Sequence, residues 1–194
     1  MLSNLGNLLL FLNALLSIII IFYSLKSVKS SSDIIPSKIF KISLIQTTSV
    51  MSCFFTLVAA FIISDFSLAN VYQNSHSSKP LFYKIAGTWG SHEGSLMLWI
   101  IILTIFSFLF LIKNYKHPKN YRLFTLIFQN IIILGFLFFI FFNSNPFSKV
   151  LPIPMEGLGL NPILQDPALV IHPPLLYIGF VGSSIYFSAA MASL

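Results

Sequence analysis

Charge is what this chain has least of. Asp, Glu, Lys and Arg make up 8% of its 194 residues, against 56% hydrophobic residues. A water-soluble domain carries about a quarter charged residues, so that class is excluded, and a mean hydropathy of +0.88 points the same way. Cysteine is almost as scarce. The one thiol, Cys53, cannot close an intrachain disulfide, and the chain has no C-x-x-C-H, so neither a c-type cytochrome nor a dithiol reductant fits. Set among Met51, Phe54 and Phe55, Cys53 reads as a small packing residue. The first apolar run has no basic stretch before it and no small-x-small site after it. It reads as a retained first span rather than a removed signal.

What the chain has in abundance is apolar length. Five runs, at residues 5–25, 42–63, 95–112, 123–142 and 174–194, come near the ~20 residues a helix needs to cross a bilayer. The expected fold is therefore an all-α integral membrane protein, one membrane domain over residues 1–194, with about five transmembrane helices and two long ordered outer-face loops. The net charge of +6 belongs to topology. Lys26, Lys29, Lys38 and Lys41 follow run one, and Lys113, Lys116, Lys119 and Arg122 follow run three, with Asp33 as the only acid among them. The positive-inside rule places these two loops on the cytoplasmic or matrix side. A nucleic-acid footprint is not implied, and membrane lipid is the surrounding medium.

Polar residues inside the runs predict a packed bundle. Asn7 and Asn13 in run one, Gln46, Thr47, Thr48, Ser49 and Ser52 in run two, and the adjacent Gln129 and Asn130 in run four all need partners within hydrocarbon. The outer segment after run two ends in Gly87-Thr-Trp-Gly-Ser-His-Glu-Gly-Ser95. Its three glycines permit a tight turn or close approach to a flat ligand, and Ser95 suits an N-cap. Trp89 and His92 are candidates for a platform under an aromatic ligand, or members of an interfacial belt with Trp99. The second outer segment, residues 143–172, holds five prolines among many apolar residues and is expected to lie ordered against the membrane surface or a partner.

His172 stands directly before Pro173 and Pro174, and an apolar run follows. Prolines suit the first turn of a helix, and the residue before a proline is pushed out of the α region. The expectation is a helix from Pro173 with His172 extended as its cap, where the positive end of the macrodipole favours a neutral imidazole. Two readings stay open: a ligand for a metal or haem iron, and, favoured by spacing alone, a helix-start device whose histidine meets water or lipid headgroups.

The stretches Thr88-Trp-Gly-Ser-His-Glu-Gly-Ser-Leu-Met-Leu-Trp99, Asn145-Pro-Phe147, Asn161-Pro-Ile-Leu-Gln-Asp-Pro167 and Ile171-His-Pro-Pro-Leu-Leu-Tyr177, with Ile63-Ser-Asp-Phe66, occur in one order. Together they resemble the N-terminal part of CcmF, the membrane haem lyase family of cytochrome c maturation. The resemblance implies a multi-span protein that receives haem from the haem chaperone CcmE and presents it to apocytochrome c. It makes His172 an axial ligand of the haem iron, a b-type haem in transit, with Gln165 or Asp166 orienting the ring. No catalytic residue is assigned. The family's W-W-D segment, second outer histidine and in-membrane histidines would follow Leu194. The expectation is that another CcmF piece supplies them, in a split form in the mitochondrial inner membrane, or a bacterial cytoplasmic membrane if the gene is not organellar. Alone, the chain is not expected to ligate haem or to act as an enzyme. The alternatives are a non-catalytic structural subunit of a larger respiratory assembly and a transport component using His76, His92 and His172.

Overall fold

The computed structural model describes residues 1–194, with the side chain of Leu169 left aside. Eight α-helices follow one another: α1 (Leu2–Val28), α2 (Ser37–Ile62), α3 (Ala69–Asn74), α4 (Leu81–Gly90), α5 (His92–Lys113), α6 (Lys119–Asn143), α7 (Pro167–Gly182) and α8 (Ser184–Ser193). A 3-10 turn at Pro162–Gln165 precedes α7. Four helices, α1, α2, α5 and α6, are long and apolar enough to cross a membrane. So is Val170–Ser193, in which α7 and α8 are interrupted only at Ser183.

The helices reach beyond the apolar runs because proline and polar residues can open a helix without contributing to hydropathy. Pro36, Pro80 and Pro118 each stand in extended conformation as N-caps of α2, α4 and α6. At the lysine-rich end, Lys119 Nζ donates to the carbonyls of Ser27 at 3.0 Å and Ser30 at 2.8 Å, and to that of Ser32. This places an ammonium at the negative end of α1.

The amide side chains of Gln46, Gln129 and Asn130 pair across helices as expected, whereas Thr48 and Ser52 lie on the exposed face of α2 and donate to carbonyls of their own helix. Gln46 Nε2 of α2 donates to Ser17 Oγ of α1 at 2.7 Å and to Asn130 Oδ1 of α6 at 3.1 Å. Gln129 of α6 donates to Ser184 Oγ at 2.9 Å and accepts from Ser188 Oγ at 2.7 Å, tying α8 to the bundle. Apart from Ser184, which is half-buried, these side chains are almost fully buried, so each bond replaces one that hydrocarbon cannot offer. Asn13 departs from the expected cross-helix pairing, since its amide donates to Leu9 O of its own helix. Cys53 is buried with its thiol 3.6 Å from Gly6 O, in contact with α1.

The two outer segments fasten to each other at the lysine-poor end. Ala69 N donates to Ser148 O and Val150 N to Ser67 O, both at 2.9 Å, and Leu158 N donates to Tyr72 O at 2.8 Å. The Asn145-Pro-Phe147 motif docks on α1. Asn145 Nδ2 donates to Asn7 Oδ1 at 2.7 Å, Ser3 Oγ donates to Phe147 O at 2.8 Å, and the Phe147 ring is fully buried over Gly6. Phe147 and Leu160 of this segment are thus buried against the rest of the fold, whereas Leu151, Ile153, Met155, Leu158 and Ile163 remain exposed.

Candidate functional site

The helix carrying His172 starts six residues earlier than its proline pair suggests. Asp166 Oδ1 accepts from Ala168 N at 2.8 Å, Asp166 O accepts from Val170 N at 3.1 Å, and Pro167 occupies the first helical position. An aspartate cap with proline at N1 is a strong start. The expected extended cap at His172 is therefore corrected: His172 lies in the second turn of α7, and Pro173 and Pro174 lie inside the helix.

A proline in a helix interior removes the bond to the carbonyl four residues back. Pro174 has no hydrogen to offer the Val170 carbonyl, and Trp89 supplies one: its Nε1 donates to Val170 O at 2.9 Å. Trp89 is in turn held by Ser95, whose hydroxyl donates to Trp89 O at 2.6 Å. The indole lies beside a cavity of about 150 Å³ lined also by Gly90, Ser95, Val170, Pro173 and Tyr177. Further along, Trp99 packs edge-on against Phe136, Tyr177 and Phe180 with ring centroids 5.6, 5.6 and 6.1 Å away.

These contacts fix which way His172 points. Val170, 4% exposed, faces α4 and α5. His172, about 200° further round at the helical repeat, is exposed together with Ile171, Leu175 and Leu176. Among the described residues no hydrogen bond reaches its ring. The imidazole stands near the lysine-poor end of the fifth span, bordered by apolar side chains. An imidazole nitrogen without a hydrogen-bond partner, beside exposed apolar side chains, can ligate iron, so the residues present fit a haem ligand.

The other expected site residues are arranged differently. Trp89 contacts α7 on the side away from His172, and its N–H is occupied by the Val170 carbonyl. His92 is exposed at the first position of α5, beside a second cavity of about 290 Å³ lined also by Ser91, Ser95, Trp99 and Tyr177. Gln165 is held away from a ring-orienting role: its Oε1 accepts from Lys79 Nζ at 2.8 Å and its Nε2 donates to Leu160 O at 3.0 Å. Asp166 acts through the cap already described. The N-cap of α5 is Ser91, whose Oγ accepts from Gly94 N at 3.0 Å, rather than the expected Ser95. The close approach that Gly94 permits is to protein backbone, since a Cβ there would lie 1.5 Å from Thr88 O, while Gly87 lies against Phe61 and Gly90 against Leu160 and Leu164. Among the described residues no three of His, Cys, Asp and Glu gather as a metal-binding group.

One carboxylate at this end is strongly perturbed. Glu156 is held down to about 2 by the Ser77 hydroxyl, then by the amides of Ser77 and Gly157, with His76 adding a smaller attraction. It closes the link between the outer segments.

Residues 89–194 match the family model of the cytochrome c assembly protein. The chain belongs to that family. It is 50% identical over 141 residues to the cytochrome c-type biogenesis protein CycK of Rhizobium meliloti (strain 1021), covering 73% of this chain and 21% of the relative. It is 46% identical over 147 residues to CcmF of Escherichia coli (strain K12), covering 75% and 23%. The fold matches that of a solved cytochrome c haem lyase CcmF with a TM-score of 0.82 at 24% identity, over 100% of this chain and 31% of the other. The assembly-family chain thus spans less than a quarter of the curated relatives' length, as a multi-pass membrane segment.

The Trp89 to Val170 bond joins residues 81 apart and has no local sequence signal. With the helix expected to start at Pro173, both prolines fall in a first turn that needs no donors, so the need of the Val170 carbonyl for an outside donor follows only from the earlier start of α7.

Proposed function

We propose that this chain is a membrane subunit of a cytochrome c maturation haem lyase, holding haem at its lysine-poor outer face for covalent attachment to apocytochrome c. The observation that carries the reading is the exposed, unbonded imidazole of His172 on an otherwise apolar face of α7. His172 would provide a nitrogen ligand to the iron. The bound haem supplies the vinyl groups that receive the apocytochrome thiols. Ile171, Leu175 and Leu176 offer the ring an apolar border, and the α5 and α7 aromatics hold that border in place behind it.

The proposed partners are the haem chaperone CcmE, apocytochrome c, and a further CcmF piece carrying the W-W-D segment and the opposing ligand. The proposed location is the mitochondrial inner membrane, or the cytoplasmic membrane in a bacterium. The test is His172→Ala in the assembled complex. Haem absorbance per complex is expected to disappear while co-purification with the partner piece continues, and His92→Ala is expected to retain haem. Unchanged haem in the His172 variant would overturn the ligand role and leave a structural membrane subunit.

A further inference from the structure

We propose that Trp89 is a positioning residue for His172, acting through the backbone of α7 rather than by touching a ligand. The residue before a proline resists the α conformation, and both His172 and Pro173 precede one, so this turn is locally disfavoured. Pro174 also leaves the Val170 carbonyl without its helical donor. That residue is 4% exposed at the contact with α4 and α5, where an unpaired carbonyl is costly. The indole N–H of Trp89 meets this carbonyl at 2.9 Å. Trp89 is itself anchored to α5 through Ser95 Oγ, and α5 is pinned to α4 by the Gly94 to Thr88 approach. The chain of contacts runs from the rigid junction of α4 and α5 to the carbonyl two residues before the imidazole. It fixes the rotation of α7 about its axis and therefore the direction in which His172 points. An aromatic at position 89 without a donor would fill the space and leave the carbonyl bare.

The backbone part of the proposal stands independently, whereas its consequence for haem rests on the ligand reading of His172. Two substitutions separate them. Trp89→Phe keeps an aromatic ring and deletes the donor; Pro174→Ala restores an amide hydrogen four residues after Val170. In the assembled complex, amide hydrogen exchange over the opening turns of α7 is expected to rise about tenfold in W89F, as for a lost buried hydrogen bond. It is expected to return to the parental value in the double variant W89F/P174A. The haem of W89F complexes should show a broadened low-spin electron paramagnetic resonance signal that sharpens again in the double variant.

Parental exchange in W89F, or loosening that P174A does not repair, would overturn the hydrogen-bond role. Loosened exchange with an unaltered haem signal would overturn the positioning of the ligand. If W89F fails to accumulate, recovery of the complex by P174A supports the proposal and failure to recover overturns it. The H172A complex keeps the readings apart, because loss of the ligand role there leaves the exchange measurement intact.

Discussion

Two helices open at the lysine-poor end with a histidine near their start, and they are built in opposite ways. The opening of α5 is closed from within: Ser91 is buried, its hydroxyl accepts from Gly94 N and donates to Thr88 O at 2.9 Å, and Gly94 lets α4 and α5 touch backbone to backbone. The opening of α7 is closed from outside: its cap is an exposed aspartate, its interior prolines break the ladder, and another helix provides the missing donor. Only the second arrangement leaves one helix face uncovered while the other is clamped. The fifth span is correspondingly the least covered, with 22% of its hydrophobic window buried against 33% to 50% for the other four. A face kept open in that way suits a ligand or partner better than a packing role does.

The contrast is broken most severely at the glycines. In Gly94→Ala the new carbon would sit 1.5 Å from the Thr88 carbonyl. Backbone cannot yield as a flexible side chain does, so the cost falls at the upper end of overpacking, about 3 kcal/mol. Gly179 of α7 has open space around it, and Gly179→Ala is expected to stabilise by about 0.5 kcal/mol through helix propensity alone. Denaturant unfolding in detergent, followed by helical circular dichroism, measures both. Equal effects would erase the distinction between the two openings.

A finer contrast lies in the caps. Ser91→Ala strands two buried backbone groups and is expected to cost about 2 kcal/mol. Asp166→Ala exposes its orphaned amides to water and should cost nearer 0.5 kcal/mol, with Asp166→Asn close to neutral because asparagine caps as well. The same unfolding measurement ranks the three. A larger loss at Asp166 than at Ser91 would mean that α7 depends on its own cap more than on the clamp from α4.

How much of this was legible in the sequence follows from which forces are local. The five spans could be read from apolar length, and the need of Gln129 and Asn130 for partners from their depth. The identities of those partners, Ser184, Ser188 and Gln46, depend on how helices pack side by side. The start of α7 was misplaced for a different reason. Asp166-Pro167 carries the same start signal as His172-Pro173, an N-capping position followed by proline, and two later prolines outweighed it. Local rules forbid prolines in a helix interior unless a neighbour answers the freed carbonyl, and the neighbour lies 81 residues earlier in the chain. Ser91 and Ser95 posed a similar choice, decided by the contact of Gly94 with α4.

The smallest effect tests what stands before each opening. α5 is preceded by a helix, whereas α7 is preceded by a loop tied to the other outer segment by backbone bonds of Leu158 and Gly159 and, at Ser77, by the Glu156 carboxylate. Its carboxylate accepts from Ser77 N at 2.9 Å, from the Ser77 hydroxyl, and from Gly157 N at 3.0 Å. Because the folded value is lowered to about 2, the contribution of this contact is fully present above the ordinary glutamate range near 4.3. It is lost as pH falls through about 2. The Glu156-linked movement of the Ser77 amide resonance, taken as the difference between the parent chain and Glu156→Gln, is accordingly expected only below about 3. A midpoint near 4.3 in the parent chain would show that the loop is not held by this carboxylate, and that the backbone bonds of Leu158 and Gly159 hold it without one.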